Sequence, residues 1–288
     1  MSQSRDKPAL AELRAEIDRI DEAMHGLLME RGEIIDRLIA AKSGGKSSQE
    51  SGSAFRPARE AEMMRRLVER HKGILPLDTA ESIWRVIIST FTFVQSPFCV
   101  HADLSAGDAL MRDSARFHFG FTVPFVPHMG AAGAVAAVSG SKGDLGLVPA
   151  MAVAGGAAWW SALELDAAPK IIARLPFVER ADHPAALPVF VVSRVAPDAM
   201  ASGTAMWSMR VTGWSPQSAQ TLSTVAEFIA VPDGAFEGAA LLLSLAEGQT
   251  LEAVTAALAK AGVMVRSTAL VGSHARRYTV AADEKRAR

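Results

Sequence analysis

The chain has 288 residues, 49% of them hydrophobic, with interspersed charges and a formal net charge of −1. That is long enough for more than one domain and a substantial core, and it excludes nucleic-acid or membrane-surface binding through bulk electrostatics. The single cysteine, Cys99, has no internal disulfide partner, which fits a reducing compartment.

Residues Met1 to Pro8 lack the apolar run of a secretory signal, so a cytoplasmic location is expected. From about Pro8 to Lys42 the pattern predicts one helix, a rod of roughly 50 Å. Its stripe reads Leu10, Leu13, Ile17, Ile20, Met24, Leu27, Arg31, Ile34, Leu38 and Ala41, so one guanidinium interrupts nine apolar positions. A charge on such a seam is costly unless a carboxylate or an anionic ligand meets it. A seam this long needs a partner helix along most of its length. An arginine on such a seam, taken alone, is more often a register-setting residue or a snorkelling side chain.

Ser43–Ala54 is rich in Gly and Ser and reads as a mobile connection. A second helix follows Pro57, with Met63, Met64 and Leu67 on its apolar side, and ends near Gly73. A third opens with the capping-box pattern Asp78-Thr79-Ala80-Glu81 and runs to about Gln95, before Pro97. Its apolar stripe is Trp84, Ile88 and Phe91, with Gln95 at the end.

Beyond residue 98 strand-like runs at Phe117–Val126, Asp144–Val148 and Pro188–Ser193 alternate with Ala-rich helical runs, which predicts an α/β domain. The uncharged stretch Leu145–Leu163 is too rich in Ala and Gly, with Pro149 inside, for a membrane helix, so no membrane association is expected. After a shift at Pro197–Gly203 the last segment reads strand Met206–Trp214, helix Gln217–Phe228, strand Ala239–Leu245, helix Thr250–Ala261 and strand Met264–Leu270. The charged tail Asp283–Arg288 reads as disordered.

Arg31 and Lys42 lie eleven residues apart, a rotation of only ~20°, and lean toward one ligand. Arg14 precedes Arg31 by seventeen residues, roughly 25 Å, and cannot reach the same pocket from the same chain. An antiparallel partner helix brings it there, which predicts a dimer with shared sites. Arg59 and Glu60 leave the second helix in different directions, and Gln95 offers an uncharged donor. Several cations, one acid and one amide suit a small dianion carrying a hydroxyl.

Leu13-Arg14-x-x-Ile17-Asp18-x-Ile20-Asp21, Leu27-x-x-Glu30-Arg31, Ala41-Lys42, Arg59-Glu60 and Gln95 together resemble the all-α chorismate mutases over residues 8–97. The resemblance implies a multi-domain chain with an N-terminal three-helix, intertwined-dimer mutase domain at 1–97. It also implies conversion of chorismate to prephenate without metal or organic cofactor. In that reading Arg14 of the other subunit and Arg31 hold the two carboxylates of chorismate. Lys42 and Gln95 donate to the ether oxygen, Glu60 binds the ring hydroxyl, and Arg59 orders that corner. The rearrangement is unimolecular, so conformer selection and donors aimed at developing charge suffice. Arg56 and Phe91 depart from the family pattern at an acidic and a small hydroxyl position. Two alternatives remain open: a non-catalytic helical dimerisation or ligand-sensing protein, and an isochorismate pyruvate lyase on the same scaffold.

The α/β remainder divides into a dehydratase-like domain, 98–197, and a regulatory-type α+β segment with the tail, 198–288. Gly143 to Pro149 and Arg174-Leu175-Pro176-Phe177 resemble prephenate dehydratase segments, and Val271-Gly272-Ser273-His274 resembles the end of a regulatory domain. Where dehydratases carry the catalytic Thr-Arg-Phe, this chain has Pro188-Val189-Phe190, so dehydratase activity is not expected. An aromatic amino acid such as phenylalanine is the expected effector. The seven histidines show no metal-ligand spacing, Cys99 has no activating partner, and Gly130–Gly133 and Gly155-Gly156 are too generic for a phosphate loop.

Overall fold

The computed structural model describes residues 10–43, 54–194, 203–234, 238–245 and 248–280, in two compact units, Met1–Glu50 and Ser51–Arg288. The Gly/Ser connection, the transition at Pro197–Gly203 and the charged tail fall wholly or largely outside the described residues.

The first unit is one helix of 34 residues, α1 (Leu10–Ser43), with Glu12 in the first turn, where a carboxylate complements the helix dipole. Its apolar stripe is open to solvent: Ile17 is 57% exposed, Met24 51%, Leu27 64% and Ile34 49%. Each such side chain gains about 1.5–3 kcal/mol when it is buried.

The second unit begins with α2 (Pro57–Arg70), opened by a proline at its first position, and α3 (Leu77–Gln95). The expected capping box at Asp78–Glu81 is not formed. The N-cap is Pro76, without a side-chain cap, and both carboxylates serve Arg180, Glu81 at 2.6 Å and Asp78 at 2.5 Å. The apolar stripe of α3 is also rotated from the expected one. Trp84, Phe91 and Gln95 are half-buried, and the buried face is Ala80, Glu81, Arg85, Ile88, Ser89 and Thr92. Its polar members have a reason to face inward. Arg85 donates to the His118 carbonyl at 3.2 Å, and Ser89 to the Phe119 carbonyl at 3.2 Å. These are the last carbonyls of α4 (Asp108–Phe119), which lack N–H donors within their own helix.

Between α3 and α4 lies β1 (Val100–Asp103). The strand expected over Phe117–Val126 is the end of α4, a turn, and the start of β2 (Phe125–His128). Buried Met111, Ala115 and Phe119 recur every four residues, a helical period, and Gly120 at φ 66° ends the helix. Then follow α5 (Ala131–Ser139), β3 (Leu145–Pro149), a 3₁₀ turn at Trp159–Leu163, β4 (Lys170–Leu175), β5 (Val178–Glu179) and β6 (Val189–Ser193).

The last segment is β7 (Thr204–Thr212), α6 (Pro216–Ser223), β8 (Ala226–Pro232), β9 (Ala239–Leu245), α7 (Leu251–Lys260), β10 (Met264–His274) and β11 (Tyr278–Thr279). The helix expected to reach Phe228 stops at Ser223. Residues from Ala226 pair instead with β9, burying Ala226, Ile229 and Val231.

Nine described strands form one sheet in the order β2-β1-β3-β6-β4-β10-β7-β9-β8. The dehydratase-like and regulatory-like segments therefore share it. Within it they meet at one parallel register pair, Gly272 with Ile171, and β11 pairs with β5 in a second, two-stranded parallel sheet. Gly272 has φ 146°, and a Cβ there would stand 2.1 Å from the Ile171 carbonyl oxygen. Only glycine lets the two strands approach so closely. Buried Lys170 pins the same junction, donating to the carbonyls of Leu163 (2.6 Å), Leu165 (2.8 Å) and Leu270 (3.5 Å). Gly272→Ala should destabilise the second unit by about 3 kcal/mol through backbone strain and the clash. Urea denaturation checks this; a change within about 0.5 kcal/mol would mean that the junction yields freely.

Candidate active site

Three of the six candidate residues stand on α1. Arg14 is exposed, Arg31 is half-buried, and Lys42 lies in the last turn with its side chain outside the described set. Along the helix Arg31 and Lys42 are separated by about 16 Å of rise on nearly one face. The other three belong to the second unit, Arg59 and Glu60 on α2 and Gln95 at the end of α3.

Glu60 is not free in that unit. Its side chain is 5% exposed, and its Oε2 accepts from Arg85, 1% exposed, at 2.7 Å. Arg85 in turn lies over the Phe177 ring, 5.2 Å from its centroid, and its Nε has no hydrogen-bond partner among the described residues. Arg59, the neighbouring residue, is exposed. Gln95 is half-buried, and its amide Nε2 donates back to the Phe91 carbonyl at 3.0 Å. Of the departures from the family pattern, Arg56 is exposed and donates to the Phe55 carbonyl at 3.4 Å, whereas Phe91 is half-buried.

Arg85 is not legible as a buried partner in the sequence. A polar residue at the fourth position after Glu81 looks like part of a solvated face, and nothing local marks it as the partner of a carboxylate 25 residues earlier. The same holds for the neighbouring buried group, His118. Burial, then the nearby Arg85 guanidinium, hold its imidazole well below the ordinary histidine range. His183 stacks on it at 6.0 Å and bonds to Glu81 at 3.2 Å. For Cys99, burial and then the Asp144 carboxylate push the thiol up, which disfavours a reactive thiolate. No group of three or more His, Cys, Asp or Glu among the described residues is placed to hold a metal ion, and no described helix is long and apolar enough to cross a membrane.

Residues 13–96 match the family described as chorismate mutase type II. The N-terminal helices thus carry the sequence of that domain. The chain is similar to two proteins named bifunctional chorismate mutase/prephenate dehydratase. The one from Stutzerimonas stutzeri is 29% identical over 114 residues, 40% of this chain and 31% of the relative. That from Aquifex aeolicus is 30% identical over 144 residues, 49% of this chain and 38% of the relative. The matched part therefore spans about a third of the length of these relatives. A solved prephenate dehydratase from Streptococcus mutans aligns at 12% identity with a TM-score of 0.38, covering 64% of this chain and 99% of that one.

The buried Glu60–Arg85 pair yields a stability test. Removing one partner of such a pair leaves the other charge buried and uncompensated. Glu60→Ala should cost about 3–5 kcal/mol, and Glu60→Gln, which keeps an acceptor, should cost less. Denaturation of both variants checks this; equal, small losses would show that Arg85 finds another partner or water.

Proposed function

We propose that the protein is a chorismate mutase, acting as a homodimer in the biosynthesis of aromatic amino acids. The observation that carries this reading is the match of residues 13–96 to the mutase family, with Arg14, Arg31, Lys42, Arg59, Glu60 and Gln95 present in order. The open apolar stripe of α1 supports the dimer, because an antiparallel second copy covers it. A two-fold axis crossing near Glu22–Ala23, midway between Arg14 and Arg31, would set each Arg14 opposite the partner's Arg31. Both guanidiniums then meet the chorismate dianion.

In this reading Lys42 and Gln95 donate to the ether oxygen as its bond to carbon breaks. Catalysis comes from holding the chair-like conformer and from donors placed for the growing charge, with no covalent intermediate. Gln95 must release the Phe91 carbonyl to do so, an exchange of one hydrogen bond for another. Glu60 would bind the ring hydroxyl while Arg85 keeps Oε2. Arg85 thereby orients the carboxylate, and Arg59 is left to face the ligand.

The C-terminal half, in our reading, binds rather than catalyses. Val189 and Phe190, where a dehydratase has its Arg-Phe, are buried in β6, and neither they nor Pro188 offer a hydroxyl or guanidinium. An aromatic amino acid is the effector we propose for it, and a cytoplasmic location fits the one unpaired cysteine. A second reading, a dimerisation module without catalysis, is favoured by one observation. Glu60 and Gln95 both already have partners within their own unit.

Turnover separates the readings. The protein should consume chorismate and yield prephenate, and Gln95→Ala should lower the rate by about two to three orders of magnitude. Prephenate should not go on to phenylpyruvate. A folded dimer that converts neither chorismate nor isochorismate would establish the module; cleavage of isochorismate alone would establish the lyase.

A further inference from the structure

In the second unit, α2 and the ends of β7, β8, β9 and β10 border a cleft of about 910 Å³, a volume in the range of small-molecule sites. Ala58, Ala61, Phe177 and Leu245 give it apolar walls. Glu62 and Glu227, which also line it, are already paired with Arg65 and Arg277. Its reactive group is a serine.

Ser244 and His274 both line this cleft. Their strands, β9 and β10, flank β7, which holds Ser244 opposite Met206 and His274 opposite Thr204. The Ser244 Oγ stands 3.2 Å from His274 Nε2, and His274 Nδ1 stands 2.8 Å from the Ala275 carbonyl oxygen. A carbonyl can only accept, so Nδ1 carries the ring proton. Nε2 is then left with a bare lone pair, and the Ser244 hydroxyl donates to it. Burial pushes the imidazole below the ordinary histidine range, and Arg174 and Arg277 add to this against the Ala275 carbonyl and Glu227. That favours the neutral ring, the form that can take a proton. A hydroxyl, a base and a group that orients the base are thus joined, the arrangement that activates a serine. Gln249, on the same wall, adds an uncharged N–H donor for a carbonyl oxygen that turns negative.

We propose that Ser244 is a covalent capture site, which takes the acyl group of an activated ester or thioester of an apolar carboxylic acid. The Ser244 oxygen bonds to the carbonyl carbon while its proton passes to His274 Nε2. The bond from that carbon to the leaving oxygen or sulfur then breaks, and the leaving group departs with the same proton. What remains is an acyl ester of Ser244, with its chain against the apolar wall. The group is held and not turned over. Hydrolysis needs a water molecule between the new ester and Nε2, and Ser244 and His274 are only 8% and 3% exposed before the cleft is filled. The capture is independent of the mutase reading, and it agrees with a C-terminal half that binds.

An activated ester tests the assignment on the full chain. p-Nitrophenyl butyrate should release about one equivalent of p-nitrophenolate per chain in a burst and then stop. Peptide mass spectrometry should find the butyryl group on Ser244. Ser244→Ala should abolish the burst. His274→Gln keeps a polar partner for the hydroxyl but removes the base, and should slow the burst by about two orders of magnitude. Lowering the pH through about 6.5, where an ordinary histidine gains its proton, should leave the wild-type burst rate little changed. A hydroxyl that serves only to satisfy the buried imidazole predicts the opposite results. No burst from the folded chain, a butyryl group found only on other residues, or a His274→Gln burst at the wild-type rate would overturn the proposal. So would steady release through Ser244 past one equivalent, which requires water at Nε2.

Discussion

The long apolar stripe of α1 is the constraint on which the N-terminal half depends. A helix of this length gains most of its stability in water from packing rather than from intrinsic propensity, and here the stripe is uncovered along its whole run. The open stripe is the physical problem that the proposed dimer answers. A second α1 would bury the aliphatic positions and would gather guanidiniums where a dianion can neutralise them. In that proposal assembly and substrate binding are aspects of one packing event. An empty site would hold like charges together, and a filled one would relieve them.

The second unit solves the opposite problem, keeping charge inside a core. Arg85, Glu60, Glu81, Arg180 and His183 are buried or nearly so, and they are linked by ion pairs and hydrogen bonds. Much of the pairing ties α2 and α3 to the α/β sheet region, through the α4 carbonyls and through Arg180 after β5. Glu60 stands at the overlap of the two problems, since it stabilises the unit and belongs to the proposed site. Activity lost by its alanine variant therefore has two sources, whereas Gln95 variants report on the site with less structural cost.

The sequence made some of this legible and concealed the rest for identifiable reasons. The α1 stripe could be read because a sustained period over many turns has few alternative explanations. The helix expected over Thr250–Ala261 is α7, whose start the Thr250 hydroxyl caps by accepting from the Ala253 N–H, whereas the one expected over Gln217–Phe228 keeps its start, capped by Ser215, and loses its end. Phe117–Val126 looked like a strand because its aromatic residues outweighed the four-residue recurrence of Met111, Ala115 and Phe119. β8 was hidden because its pairing with β9 is non-local, and Ala226 to Phe228 continue a plausible helix. The Glu60–Arg85 and Glu81–Arg180 pairs join residues 25 and 99 apart, and no local pattern encodes them. The six residues of the proposed mutase site were legible as an ordered set, although each alone is an ordinary charge or amide.

Subunit mixing addresses the central claim, that a second chain completes each site. Arg14→Ala and Arg31→Ala homodimers should each be inactive. In a heterodimer one site keeps both arginines while the other loses both. After verified exchange at equal amounts, half the dimers are mixed, so activity should recover to about a quarter of the wild-type level. No recovery in a mixture shown to contain heterodimers would contradict the shared site.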